Sequence, residues 1–225
     1  PGFEYLPAFT GGLVGYFSYD YMGYCEPTAK CTVEDTENFQ DMDLMLFDKV
    51  IAFDHVRQKI ILIVNMSLRD VETGYHKAVM ELRQLADLLR NGKKTRETGG
   101  KLQGEVTELF SKEQFCTMVE RAKEHIHEGN IFQIVLSNRL SVPFEGSLLN
   151  TYRILRTINP SPYMFYFSSD DIEIAGASPE TLVKLEAGNL STFPLAGTRP
   201  RGKTREEDRE LEAGLLKDEK ERAEH

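Results

Sequence analysis

Short runs of alternating apolar and polar residues, separated by glycine, proline and charged clusters, fill much of this chain, and stretches of helical period lie between them. Residues 11–19 (GGLVGYFSY) set glycines before alternating bulky side chains, which predicts a strand packed close to another backbone. Two apolar runs, 43–55 and 59–66, flank Val56-Arg57-Gln58 and predict a hairpin. Val71, Tyr75, Val79, Leu82, Leu85, Ala86 and Leu89 recur at helical spacing, giving an amphipathic helix of about 18 residues that Asn91-Gly92 stops. Residues 91–104 (NGKKTRETGGKLQG) are charged, contain glycine and lack periodicity, so they read as a linker or a long surface excursion. Ser111, with Gln114 three residues on, caps a second helix whose stripe is Phe115, Met118, Val119, Ala122 and Ile126.

Beyond Gly129, residues 131–142 read as a long strand with Gln133 and Ser137 as polar exceptions. A third helix is predicted over 147–158, stopped at Asn159-Pro160-Ser161-Pro162. Strands at 163–167 and 172–175 form a hairpin, and residues 181–185 and 190–195 form another around Ala187-Gly188-Asn189. Thr204 with Glu207 caps a charged helix towards Lys217, and residues 218–225 remain helical in propensity. Strand pairs mixed with helices make this an α+β pattern.

Composition narrows the functional classes. A formal charge of −9 over 225 residues argues against a nucleic-acid or membrane-surface protein, so an anionic ligand must be captured locally. No apolar run approaches a membrane span. Three cysteines, Cys25, Cys31 and Cys116, fit neither a disulfide framework nor zinc spacing, and a reducing, cytoplasmic setting is expected. The GGLVG stretch lacks the Lys-Ser/Thr and helix opening of a phosphate loop.

The chemistry concentrates in residues 178–201. Glu180 follows a proline, where a side chain is readily exposed, and the hairpin after it returns to Gly197, Thr198, Arg199 and Arg201. Gly197 permits close approach, Thr198 offers a hydroxyl and an N–H, and the arginines suit anions. That set describes either a pocket for a small acidic substrate or an exposed carboxylate beside a solvated basic loop. Gln133, if buried, needs a partner, which a ligand would supply; an outward-facing glutamine fits the pattern equally. Glu221 and Glu224, three apart, share a helix face and have the oxygen chemistry of a magnesium ligand pair, or simply belong to a solvated charged helix. His125 and His127 are two apart and diverge on a helix.

Five segments, in order and spacing, carry a resemblance: GNIFQIVLS (129–137), NPSPYMFY (159–166), GASPE (176–180), PLAGTRPR (194–201) and DEKERAEH (218–225). Together they resemble the chorismate-utilising enzymes, and within them most closely the anthranilate synthase component I branch, with GGLVGYFSYD (11–20) similar to its amino-terminal region. The resemblance implies antiparallel β-sheets packed as a sandwich with flanking helices. It places an amino-terminal region over 1–103, ending in the linker, and the first part of the chorismate-binding catalytic domain over 104–225. It implies a lyase that converts chorismate and ammonia to anthranilate and pyruvate. Glu180 matches the general acid. Gln133, Ala196, Gly197 and Thr198 match positions at the substrate, with Gln133 where water-using members carry a lysine base and Ala196 where many aminodeoxychorismate synthases carry a nucleophilic lysine. Glu224 matches a magnesium ligand with Glu221 the nearby second candidate. Pro162, Tyr163 and Met164 match part of a tryptophan feedback site. A glutamine amidotransferase subunit is the implied source of ammonia. The same resemblance carries further metal and substrate residues past His225, so the 225 residues alone are expected to lack a complete site. The alternatives are an aminodeoxychorismate synthase component I, which Ala196 disfavours only in part, and a non-catalytic binding fragment.

Overall fold

A computed structural model describes residues 5–29, 35–96, 98–195 and 197–224, with the side chains of residues 220, 223 and 224 outside that description. The chain divides into two units, Pro1–Arg96 and Glu97–His225.

In the first unit, strand β1 (Gly12–Phe17) is followed by a short helix α1 (Met22–Cys25) and then by β2 (Met42–Phe47), which pairs antiparallel with β1 from Gly12↔Phe47 to Phe17↔Met42. The expected close approach is present: a Cβ on Gly15 would lie 1.8 Å from the Asp43 carbonyl oxygen. The run 43–55 does not continue as one strand. It breaks at Asp48, and β3 (Lys49–Asp54) pairs with β4 (Lys59–Val64) in a separate ladder. Asn65 explains the break: its N–H donates to the Asp48 carbonyl (2.8 Å), while its Nδ2 donates to Thr10 O (2.7 Å) and Asp48 O (3.2 Å). At the β3–β4 turn Asp54 Oδ1 accepts from the N–H groups of Val56 (3.0 Å) and Arg57 (2.8 Å). Helix α2 (Val71–Asn91) is capped by Asp70, which accepts from Thr73 N–H, and packs on β4. It stops at Gly92 as predicted. Gly92 has φ −60°, so the glycine is required there by close approach to the Leu88 carbonyl and not by a left-handed turn.

The second unit opens with β5 (Lys101–Leu102), inside the stretch that reads as a linker, and β6 (Thr107–Glu108). Helix α3 (Lys112–His127) has the predicted capping box: Ser111 Oγ accepts from Gln114 N–H (3.3 Å) and Gln114 Oε1 accepts from Ser111 N–H (2.8 Å). Strands β7 (Leu140–Ser141) and β8 (Phe144–Glu145) pair with β6 and β5 respectively. Of the strand expected over 131–142, only β7 forms. Residues 131–139 lie outside any strand, with Phe132 86% and Val135 85% exposed. An apolar run supplies side chains but not a partner for the backbone, and the described cross-chain ties lie at its end, where Asn138 bonds Phe110 N–H and C=O and the Arg139 carbonyl accepts from Leu109 N–H (2.9 Å).

Helix α4 (Leu149–Ile158) packs on the hairpin of β9 (Tyr163–Ser168) and β10 (Glu173–Ser178), whose register runs from Glu173↔Ser168 to Ser178↔Tyr163. Strands β11 (Thr181–Glu186) and β12 (Asn189–Phe193) follow, turning at Ala187 (φ 50°) and Gly188 (φ 82°). Helices α5 (Arg205–Lys217) and α6 (Glu219–Glu224) end the chain. The α+β, antiparallel expectation holds, and among the described residues the strands form six two-stranded ladders. Only Ala78, Ala122 and Phe167 are buried apolar residues there. The accessible surface is 19,621 Å², against about 12,500 Å² expected from size scaling even when the units are counted as separate domains. The apolar stripes are therefore formed but largely uncovered. Among the described residues no helix is long and apolar enough to cross a membrane.

Candidate functional site

The site is built at the corner where β10 leaves for β11. Ser178-Pro179-Glu180 spans it, and the Glu180 side chain is exposed. Its Oε1 accepts from the N–H of Leu195 at 3.2 Å, so the carboxylate leans over the end of the returning hairpin. The next residue, Thr181, donates from Oγ1 to the Tyr163 hydroxyl at 2.9 Å. Register and turn thus bring the predicted acid to the start of the small-residue loop.

That loop is fastened to α6. Gly197 N–H donates to Glu221 Oε2 at 2.6 Å, and a Cβ at Gly197 would fall 2.1 Å from the same carboxylate. Only glycine lets the carboxylate sit there. Asp218 caps α6 by accepting from Glu221 N–H (3.2 Å) and also receives Arg199 (2.8 Å). Arg201 meets Asp208 with two guanidinium nitrogens, Nε at 2.8 Å, while Gly202 N–H donates to the same carboxylate. Arg201 and Gly202 hold the Asp208 carboxyl below the usual carboxylate range. This corrects the expectation of two arginines open to an external anion: both are paired with acids of the following helices. Opposite charge at such short range satisfies them internally.

The remaining candidates are placed unevenly. Thr198 is exposed, its carbonyl accepting from Arg199 (3.1 Å). Gln133 is exposed, in the stretch before β7 that forms no regular element. Pro162 is exposed, and Ser161 Oγ donates to the Tyr163 carbonyl (3.0 Å) and lies 3.4 Å from Met164 Sδ. Ala196 and the Glu224 side chain lie outside the described residues, as does Cys31; Cys25 and Cys116 are exposed free thiols. Among the described residues no group of three or more His, Cys, Asp or Glu side chains is gathered as a metal site. Glu221 by itself fits a hard cation by donor type: a half-buried carboxylate, with Glu224 three positions on along α6.

One organising residue has no local signal. Glu173, at the start of β10, accepts from Leu148 N–H (2.7 Å), Ser147 Oγ (3.0 Å) and Tyr166 OH (2.5 Å). It closes the N-terminal end of α4 from a strand 25 residues away. The Leu148 N–H first, then the Tyr166 hydroxyl, hold its carboxyl below the ordinary range. Only a hairpin register aligned with the helix start would reveal the pairing.

The family described as chorismate binding enzyme matches residues 3–225. Anthranilate synthase component 1 of Acetivibrio thermocellus is 44% identical over 228 residues, covering 98% of this chain and 46% of that protein. The Aquifex aeolicus protein of the same name is 41% identical, covering 99% and 46%. The crystal structure of anthranilate synthase component I from Streptococcus pneumoniae TIGR4 superposes with a TM-score of 0.77 at 33% identity, covering 97% of this chain and 48% of that one. The chain spans about half the length of the curated relatives it matches. With a match over residues 3–225, the chain belongs to the chorismate binding enzyme family.

Proposed function

We propose that this chain carries the first part of the chorismate site of an anthranilate synthase component I, which turns chorismate and ammonia into anthranilate, pyruvate and water. The observation that carries the reading is the 44% identity to a protein of that name across 98% of the chain. The geometry supports it. The Gly197 N–H donates to Glu221, which sets the loop against the helix that carries the proposed magnesium ligands.

Ammonia adds at C2 of the cyclohexadiene as the C4 hydroxyl leaves. Hydroxide is a poor leaving group, so Glu180 donates the proton that lets it depart as water. The Leu195 N–H at Oε1 keeps the carboxyl aimed off the hairpin end and leaves Oε2 for the substrate. The C2 proton is then lost and the enolpyruvyl ether eliminated as pyruvate, which aromatises the ring. Thr198 and Gly197 hold and orient the acidic substrate through hydroxyl and backbone. Gln133, a neutral amide, cannot deprotonate water, which suits a nucleophile that already carries a lone pair. Magnesium held by Glu224 and Glu221 supplies Lewis-acid neutralisation of the ring carboxylate. Ammonia comes from a glutamine amidotransferase subunit, and tryptophan inhibits through Pro162, Tyr163 and Met164.

The test is fluorescence-detected anthranilate formation from chorismate, magnesium and ammonium, on these 225 residues and on the protein at its natural full length. Anthranilate from the full-length protein is expected, with little turnover from the 225 residues alone. Chorismate consumed without anthranilate would move the assignment to the aminodeoxychorismate branch.

A further inference from the structure

Alternate residues of the loop after β12 are tied to the last two helices: Gly197 to Glu221 on α6, Arg199 to Asp218 at its start, and Arg201 to Asp208 on α5. Asp218 joins the first two ties. Its Oδ2 receives Arg199 Nη2 at 2.8 Å, and its Oδ1 accepts from the Glu221 N–H at 3.2 Å, which caps α6. Glu221 in turn accepts from the Gly197 N–H at 2.6 Å. These contacts close a ring that runs along the loop from Gly197 to Arg199, across to Asp218, one turn on to Glu221 and back to Gly197. Thr198 is the loop residue inside the ring, and it is exposed. Arg199 also donates from Nη1 to the Thr198 carbonyl at 3.1 Å, so one guanidinium bridges the loop backbone and the helix cap. The pair is about a third exposed on each side (35% and 32%), where an ion pair adds little to stability. What it fixes is position.

We propose that Asp218 and Arg199 are positioning residues for α6, holding the helix of Glu221 and Glu224 against the Thr198 loop so that cation and substrate are met by one prearranged surface. The proposal rests on the functional reading above. Aspartate serves both partners because it has two oxygens, one for each. Asparagine has a single accepting oxygen. Asp218→Asn therefore keeps the cap, for which asparagine is well suited, and gives up Arg199. Arg199→Met gives up the same tie from the loop side and leaves the cap untouched. Charge alone drives these two variants apart: losing an acid beside a cation site weakens magnesium, and losing a base strengthens it. Loss of position weakens magnesium in both.

The experiment uses the full-length protein, with magnesium alone as the probe in calorimetry and ammonium as nucleophile in the fluorescence assay. Asp218→Asn and Arg199→Met are each expected to raise the magnesium Kd about three- to tenfold, the range of one hydrogen bond, and the double variant should raise it no further. Half-maximal magnesium for anthranilate formation should rise by the same factor. Arg199→Lys, which keeps the charge and the reach to Asp218, should return the Kd to within about twofold of wild type. Tighter or unchanged magnesium binding in Arg199→Met overturns the proposal, as do losses that add in the double variant. Should Asp218→Asn fail to fold, Arg199→Met and Arg199→Lys carry the test, because both retain the cap. A wild-type protein that makes anthranilate yet binds no magnesium also overturns the proposal. A wild-type protein that makes no anthranilate defeats the functional reading instead, and that is seen before any variant is made.

Discussion

Glu173→Gln isolates the charge at the α4–β10 clamp. The carboxylate accepts three bonds, from an amide N–H at Oε2 and from two hydroxyls at Oε1. Glutamine can keep its carbonyl oxygen on Leu148 N–H, and both hydroxyls can rotate to accept from its amide nitrogen. What is lost is the charge assistance. At a half-buried site that is about 1–2 kcal/mol, while Glu173→Ala, which strands all three donors, costs about 2–4 kcal/mol. For a unit of this size the glutamine variant should unfold about 3–8 °C lower near neutral pH. The pH dependence follows from the direction of the shift. The folded carboxyl is held below its ordinary value, so its contribution is complete above about pH 4.3 and is lost as pH falls through the folded value. The gap between wild type and Glu173→Gln, read by circular dichroism on heating, should be full at neutral pH and should shrink as the pH falls below the ordinary glutamate range. Equal melting at neutral pH, or a gap that persists undiminished in acid, would refute the clamp.

Two further expectations concern the site, both in the full-length protein. Glu180→Gln should reduce anthranilate formation by about 10²–10⁴-fold while chorismate binding survives; turnover near wild type removes Glu180 from the acid role. Glu224→Ala should shift half-maximal activity to much higher magnesium, and a superimposable magnesium titration would count against that ligand assignment.

Legibility followed the range of each interaction. The α3 cap was readable because Ser111 and Gln114 satisfy each other within one turn. The β11–β12 hairpin was readable because Ala187-Gly188 supplies the left-handed turn in place. Asp48 was not, because the residue that ends the strand there is Asn65, 17 positions on. Residues 131–139 differ from their expectation for a related reason: an apolar run reports side chains to bury, whereas a strand also needs a neighbouring backbone. The arginines of the loop were legible as cations and illegible as paired ones. Their acids, Asp208 and Asp218, belong to helix turns 7 and 19 residues later. At the site itself, Glu180, Gly197 and Glu221 were named by motif order, and the Gly197–Glu221 bond joins two of them directly. The Tyr163–Thr181 bond and the Glu173 clamp depend on how one hairpin sits against another element, which no local pattern encodes.

The pairing of Arg199 and Arg201 also governs how a ligand arrives. With both guanidinium groups engaged by acids, the loop adds little positive potential to a chain whose formal charge is −9. For the acidic substrate proposed above, the loop therefore adds little long-range attraction, and capture is left to contacts at short range. The encounter rate should then not fall with added salt, which screens attraction beyond about 10 Å at 0.1 M, and stopped-flow binding at low and high salt reads that slope directly. Selection of the ligand is thereby moved from the approach to the moment of contact.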